Sequence, residues 1–252
     1  MGSRTLDCVT DEPHDVPFRK QTVSYVRRSG RMSDAQERAW ADLSDTYLID
    51  VPRDVAQMSV HADAQFIPEQ AYGRSAPLIV EIGSGQGHAI VHAASGHPET
   101  DFLAVEVFRA GLARTMLDAD KAGVTNLRLA EANAPEVLAK LLPAASVDEV
   151  WVFFPDPWHK VRHNKRRLIQ DSFLPLVAGA LRDGGVVRMA TDWEEYALQM
   201  REVFDGGADF ERDFTGEWAD RFDGRVLTAF ERKGERAGRA IHDLSYRRLP
   251  RV

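Results

Sequence analysis

Two short stretches hold the residue types and spacings that could do chemistry. The first is Glu81-Ile82-Gly83-Ser84-Gly85-Gln86-Gly87, an acid followed by three alternating glycines. Glycines let the backbone turn sharply and let a ligand approach where a Cβ would intrude. The third glycine falls one residue too early for a Gly-x-Gly-x-x-Gly dinucleotide fingerprint, with His88 in its place. No Gly-Lys-Ser/Thr follows, which excludes a phosphate-cradling Walker loop. Glu81 would repel a pyrophosphate and suits a cationic ligand. Glu106, 23 residues after Gly83, is spaced to accept both hydroxyls of a ribose. The second stretch is Phe153-Phe154-Pro155-Asp156-Pro157-Trp158-His159-Lys160, followed by Arg162, Lys165, Arg166 and Arg167. Two prolines stiffen the backbone on either side of one carboxylate. The plainer alternatives are a tight turn for the first stretch and a stiff loop with a capping Asp for the second.

A carboxylate fixed at such a loop matches one base well. Guanine offers N1–H and N2–H2 side by side, a pair of donors for two acceptor oxygens. Its N7 carries a lone pair and no proton, so it can attack an electrophilic methyl group without a general base. The product purine is positive, and a nearby carboxylate stabilises that charge.

These stretches need elements to position them. Short apolar runs at 78–82, 102–107, 127–129, 147–154 and 186–190 read as buried strands. Helices are expected over 86–95, 109–122, about 135–142, 165–181 and 193–204, several closed by glycine or proline. Gly184-Gly185 is expected to turn the chain into the fifth strand. Strands alternating with helices predict a mostly parallel α/β sheet. Runs at 226–232 and 241–247 around a basic, glycine-containing loop predict two more strands and an antiparallel C-terminal edge. That makes a seven-stranded sheet with helices on both faces. Ser33 with Gln36 predicts a capping box opening an earlier helix. Residues 1–16 are polar and aperiodic, and are expected to be disordered. Residues 17–76 read as a basic N-terminal extension and 77–252 as the domain proper.

Composition narrows the setting. The chain has 252 residues, with 32 Lys and Arg against 39 Asp and Glu, a formal charge of −7. A single cysteine, Cys8, excludes an internal disulfide and a cysteine-only metal site, and suits a reducing compartment. No apolar run approaches the roughly 18 residues of a membrane span. Asp7, Asp11, Glu12, His14 and Asp15 leave no signal-peptide h-region, and Leu6 stands where myristoylation favours Ser or Thr. A cytoplasmic location is expected. The acidic total hides three basic stretches. Residues 17–40 carry six basic side chains against two acidic, 156–168 five against one, and 225–252 eight against three. Because fields act over about a Debye length, roughly 8–10 Å, such segregation bears on partners despite the net charge.

The glycine turn with Glu81 and Glu106 resembles the S-adenosylmethionine site of Rossmann-like class I methyltransferases. In that class Asn133, after the third strand, falls where the adenine edge is contacted. More specifically, residues 153–167, Ala190-Thr191-Asp192-Trp193, Leu227-Thr228-Ala229-Phe230-Glu231, and Ser24-Tyr25-Val26-Arg27-Arg28 with Gly30-Arg31 resemble the tRNA (guanine-N7)-methyltransferase family, over about residues 17–249. The resemblance implies methylation of guanine N7 in the tRNA variable loop, position 46 in tRNA numbering, with S-adenosylmethionine as donor and S-adenosylhomocysteine as product. It implies that Asp156 is catalytic and that Glu81, Gly83, Gly85, Gly87, Glu106, Asn133 and Asp156 line the cofactor pocket. It also implies substrate contacts from Lys160, Asp192, Thr228, Ala229, Phe230 and Glu231, and RNA contacts from Arg162, His163, Asn164, Lys165, Arg166 and Arg167. Some relatives have Asp in place of Asn133 and Lys in place of Ala229. Asn133 can still donate and accept, whereas any role of Ala229 must lie in backbone or packing.

Other residues admit two readings. Asp192 is a helix cap or a substrate contact, and Thr228 and Glu231 are substrate contacts or edge-strand residues. His88, His92 and His97 lie near helical spacing, but no accompanying carboxylate or cysteine makes a recognised metal motif, so no metal is expected. His159 belongs with the RNA face, and Tyr25 or Trp158 could stack on a base, while Trp158 could equally pack the loop. The basic stretch 17–40 is expected to order on RNA. No membrane partner is expected, and a monomer or a homodimer fits equally. Two competing functions are a methyltransferase for a small molecule or protein, and a non-catalytic RNA-binding protein. The latter predicts a damaged glycine turn or a missing Asp156, and both are intact.

Overall fold

A computed structural model describes residues 31–54, 59–227 and 229–251. The expected contacts at Tyr25 and Thr228, and the expected disorder of 1–16, lie outside these. In chain order the elements are α1 (Asp34–Tyr47), α2 (Pro68–Tyr72), β1 (Leu78–Ile82), α3 (His88–Gly96), β2 (Asp101–Glu106), α4 (Arg109–Lys121), β3 (Leu127–Glu131), α5 (Ala134–Glu136), β4 (Val147–Phe153), α6 (Leu174–Ala180), β5 (Leu181–Thr191), α7 (Glu194–Asp205), β6 (Phe210–Arg212), α8 (Ala229–Arg236) and β7 (His242–Arg248). A π-helical turn (Val137–Leu141) follows α5, and 3-10 turns span Val161–Arg166 and Asp171–Phe173.

The seven strands form one sheet in the order β3-β2-β1-β4-β5-β7-β6. β1 to β5 run parallel, and β7 is antiparallel to both β5 and β6. Successive strand side chains point to opposite faces, and each face has its own core. Val150 and Val152 join one core with α6, α7 and the π turn, while Trp151 and Phe153 join the other with α1, α3 and α4. Burial on both faces is why these strands read as unbroken apolar runs. Among the described residues no helix is long and apolar enough to cross a membrane.

The capping box is present: Gln36 N–H donates to Ser33 Oγ at 3.4 Å, and Ser33 N–H donates to Gln36 Oε1 at 2.9 Å. The helix it opens packs on α4, with Ala39 and Tyr47 buried and the Gln36 amide donating to Ala110 O at 2.9 Å. Residues 34–40, the last part of the basic stretch 17–40, lie in this helix.

Three expectations need correction. The helix expected over 165–181 is two 3-10 turns and a short α6. Pro175 sits in the first turn of α6, where its missing N–H costs nothing; a continuous helix would have buried that defect in its interior. Of the strand expected over 226–232, residues 229–232 instead open α8, and β6 supplies the antiparallel edge. Short apolar runs do not separate helix from strand; here Glu231 and Gly234, three apart, both face inward. Gly184-Gly185 lies inside β5, beside a register shift at Val147/Glu149, and makes an irregularity in the strand, not a turn before it.

Candidate active site

The carboxyl ends of β1 to β5 share one edge, and the strand order reverses between β1 and β4. Open parallel sheets bind ligands at such a switch point. Gly83, Gly85 and Gly87 all adopt left-handed backbone, with φ of +70°, +60° and +75°. Gly83 N–H donates to Val105 O at 2.8 Å, tying the turn to β2. A Cβ on Gly83 would meet no atom within 4 Å, whereas one on Gly87 would lie 2.4 Å from the Thr115 side chain. The first glycine thus faces open space and the third fits against α4. Gly111, inside α4, is a site residue that the sequence reading missed. A Cβ there would lie 2.2 Å from the Gly85 carbonyl oxygen. Its signal was available, since a glycine inside an otherwise helical pattern marks close packing.

Two carboxylates flank this turn in opposite surroundings. Glu106 Oε2 accepts the Gly85 N–H at 2.9 Å, and its Oε1 accepts those of Val107 and Phe108 at 2.7 and 3.0 Å. A carboxylate has about four lone-pair sites, so capacity remains for a hydroxyl. Glu81 is buried, and its Oε2 has no hydrogen-bond partner. Burial pushes its carboxyl up to about 8; the Glu106 charge adds to this and the Ile90 N–H partly offsets it. Ser84 Oγ beside it is likewise buried and unpartnered. A buried acid with an idle oxygen is a socket for a cation, and a glycine-lined space beside a second acid suits a polyhydroxylated group. These residues fit S-adenosylmethionine. Asn133 occupies the N-cap position of α5 without using its side chain as the cap. It lies just beyond Glu131, which pairs with Arg109 at 2.9 Å.

The loop after β4 forms the other wall. Phe154 N–H donates to Ala190 O at 2.7 Å, continuing the β4–β5 pairing. Phe154 and Trp158 both have left-handed backbone, φ +52° and +47°. Non-glycine residues there carry strain that surrounding structure must hold. Between them Pro155, Asp156 and Pro157 are half-buried. The Trp158 ring carries the Arg166 guanidinium at 4.9 Å and meets the His163 ring edge-on at 5.8 Å. His159 packs on Trp193 at 4.2 Å.

The expected RNA residues divide. Lys160, Arg162 and Lys165 are exposed, and His163, Asn164 and Arg166 half-exposed. Local desolvation and the charges of Arg162, Arg166, Lys160 and Lys165 hold the His163 imidazole below its usual range. Arg167 departs from the expectation: it is buried, and its guanidinium is engaged by Pro157, Gln199 and Glu195.

The expected substrate residues divide too. Asp192 does not cap α7, whose N-cap is Trp193; it takes two hydrogen bonds from Arg239, at 2.6 and 2.8 Å. Glu231 is no edge-strand residue. It is buried in α8, 2.7 Å from the fully buried Arg225 and 3.2 Å from Arg221, while Arg225 also pairs with Asp243 at 2.9 Å. Arg225 lies over the Phe153 and Phe154 rings at 5.9 and 5.4 Å, so this ion cluster sits directly behind the loop. Ala229 and Phe230 open α8. Among the described residues no group of three or more His, Cys, Asp or Glu is placed to hold a metal ion.

Comparison with known proteins bears on this site. A family model described as "Putative methyltransferase" matches residues 75–244. The chain is 48% identical to the tRNA (guanine-N(7)-)-methyltransferase of Arthrobacter sp. (strain FB24), over 90% of this chain and 86% of that protein. It is 46% identical to the protein of the same name from Bifidobacterium longum (strain NCC 2705), over 90% and 88%. Among solved structures, the 16S rRNA methyltransferase KamB superposes with a TM-score of 0.52 at 15% identity, covering 79% of this chain and 95% of that one. That likeness concerns the fold.

Proposed function

The chain belongs to the tRNA (guanine-N(7)-)-methyltransferase family, and from that premise we propose that it methylates N7 of a guanosine in the variable loop of tRNA, position 46, with S-adenosylmethionine as donor. The observation that carries the reading is the pairing, at one switch point, of a buried acid that has one idle oxygen with a proline-braced carboxylate. When bound, the cofactor supplies an activated methyl group. Glu81 balances its cationic methionine end, Glu106 receives the ribose hydroxyls, and Asn133 meets the adenine edge.

The remaining steps belong to the acceptor. Asp156 receives the guanine N1–H and N2–H2, which fixes the base with N7 directed at the donor. No proton leaves N7, so the carboxylate orients the base and balances the positive charge that develops on the ring; it removes nothing. Rate comes from alignment and electrostatics. Lys160, Arg162, Lys165 and Arg166 hold phosphates, so binding falls steeply as salt rises.

The test is transfer itself. The purified protein is incubated with labelled S-adenosylmethionine and unmodified tRNA, and the product is digested to nucleosides. The expected product is labelled 7-methylguanosine mapping to the variable loop. Label on a different atom, on a non-RNA acceptor, or tRNA binding without any transfer would overturn the proposal.

A further inference from the structure

We propose that Arg167 is a positioning residue for Asp156 and not part of the RNA-binding face, an inference that rests on the catalytic reading of Asp156. Arg166 and Arg167 are neighbours in a run of basic residues, yet they point to different environments. The Arg166 guanidinium lies over the half-exposed Trp158 ring. The Arg167 side chain is 1% exposed. The cause is local. Arg167 closes the 3-10 turn with an extended backbone, φ −58° and ψ 141°, its N–H donating to Asn164 O. Leaving the turn in that conformation sends its side chain inward, under the loop that carries Asp156.

There the guanidinium makes three separate contacts. Nε donates to Pro157 O at 2.9 Å, Nη1 to Gln199 Oε1 at 2.6 Å, and Nη2 to Glu195 Oε1 at 3.2 Å. Its face lies over the Tyr196 ring at 4.9 Å. Glu195, Tyr196 and Gln199 all belong to α7, so one turn of that helix forms the clamp. The clamp is itself fixed: Ile169 N–H donates to Tyr196 Oη at 3.0 Å, and the Gln199 amide donates to Ile169 O at 3.0 Å. Burial, and more weakly the Asp156 charge, pushes the Tyr196 phenol up, which places that carboxylate within electrostatic reach of the clamp.

The geometry explains why the loop needs this contact. Pro155 and Pro157 fix their own φ angles, but a proline ring leaves ψ free. The peptide after Pro157 leads into Trp158, whose left-handed backbone must be held against its own strain. A hydrogen bond to the Pro157 carbonyl sets the orientation of that peptide. Only a planar fork with several fixed donors can reach three acceptors on different sides at once; a lysine ammonium cannot reproduce it. A side chain this buried has nothing to offer a phosphate.

The experiment separates positioning from RNA contact. Arg167→Lys, Gln199→Met, Arg166→Ala and Asp156→Asn are compared for kcat at saturating tRNA and cofactor, for tRNA affinity across a salt series, and for cofactor affinity and Tm. Arg167→Lys is expected to lower kcat about tenfold to a hundredfold, as small misplacements of a reacting group do. Its tRNA affinity should stay within about twofold, with an unchanged salt slope. Gln199→Met, which removes one leg of the clamp and keeps the arginine, should lower kcat in the same way but less. Arg166→Ala should weaken tRNA binding and reduce the salt slope by about one. A tRNA affinity weakened more than about fivefold in Arg167→Lys with kcat at saturation unchanged would overturn the proposal, and so would kcat within twofold of the parent in both clamp variants. If Arg167→Lys does not fold, Gln199→Met alone decides. Normal turnover in Asp156→Asn would remove the catalytic reading whatever the clamp variants do, whereas a disabled Asp156→Asn beside normal clamp variants would remove only the positioning claim.

Discussion

At the ends of β1 and β2 the backbone closes the site on itself. The glycine turn is tied to Val105 and Glu106 by its own N–H groups, and α4 approaches the Gly85 carbonyl so closely that Gly111 can carry no side chain. At the end of β4 the wall is held from a distance. Arg167 reaches the loop from ten residues on, clamped by α7, and Arg225 backs Phe153 and Phe154 with Glu231 and Asp243 as partners. One wall is steric and local; the other depends on buried cations that must each find their acceptors. They should therefore fail differently, the first to added volume and the second to a lost charge.

The largest effect is expected at the proline-braced carboxylate. Asp156→Ala should lower turnover by about a thousandfold or more, as loss of an electrostatic stabiliser does, and leave tRNA affinity largely intact in a filter-binding assay. Loss of tRNA binding with normal turnover at saturation would contradict this. Next comes the cluster behind it. Arg225→Met keeps volume but strands the Asp243 carboxylate and leaves Glu231 with its longer pair to Arg221, and should destabilise the fold by about 3–5 kcal/mol in urea unfolding. A cost below about 1 kcal/mol would show that the long-range wall does not depend on that cation. On the local wall, Gly111→Ala should cost about 1–3 kcal/mol through forced backbone shifts, and should weaken cofactor binding. Gly179→Ala, where the added methyl meets no atom within 4 Å, is the control and should do neither.

The smallest effect is a pH dependence of the local wall. In the folded protein Glu81 holds its proton up to about pH 8, above its ordinary value of 4.5. A raised folded value favours the protonated form, so this group's contribution to stability is full below about 4.5 and lost as pH rises towards 8. A bound cation favours the carboxylate. Cofactor affinity should therefore increase as pH rises towards 8 and level off above it, with proton uptake by the buffer visible in calorimetry below that point. Glu81→Gln should flatten the profile. An unchanged profile in that variant would assign the titration to another group.

The same contrast explains what could be read from the residues alone. Glu81, the three glycines and Glu106 form a contiguous strand–turn–helix pattern whose constraints are local, and Ser33 with Gln36 is a complete cap within four residues. The segment leading into α8 reads as a strand because Val226, Leu227 and Phe230 carry no decisive period. What decides its form is tertiary: Glu231 meeting Arg225, and Gly234 against the Asp192 carboxylate, where a Cβ would lie 2.9 Å away. Arg167 read as one more phosphate ligand because charge in a sequence says nothing of direction; a turn ending in extended backbone reverses it. Gly111 is legible, as a glycine inside a helical pattern.

The central claim is that N7 of guanine is the acceptor, presented without removal of a proton. A tRNA transcript carrying 7-deazaguanosine, with a C–H in place of N7, tests it directly. Single-turnover transfer from labelled S-adenosylmethionine should fall to background on this transcript while its affinity stays near that of the unsubstituted one. Transfer to the deaza transcript at the ordinary rate would contradict the account.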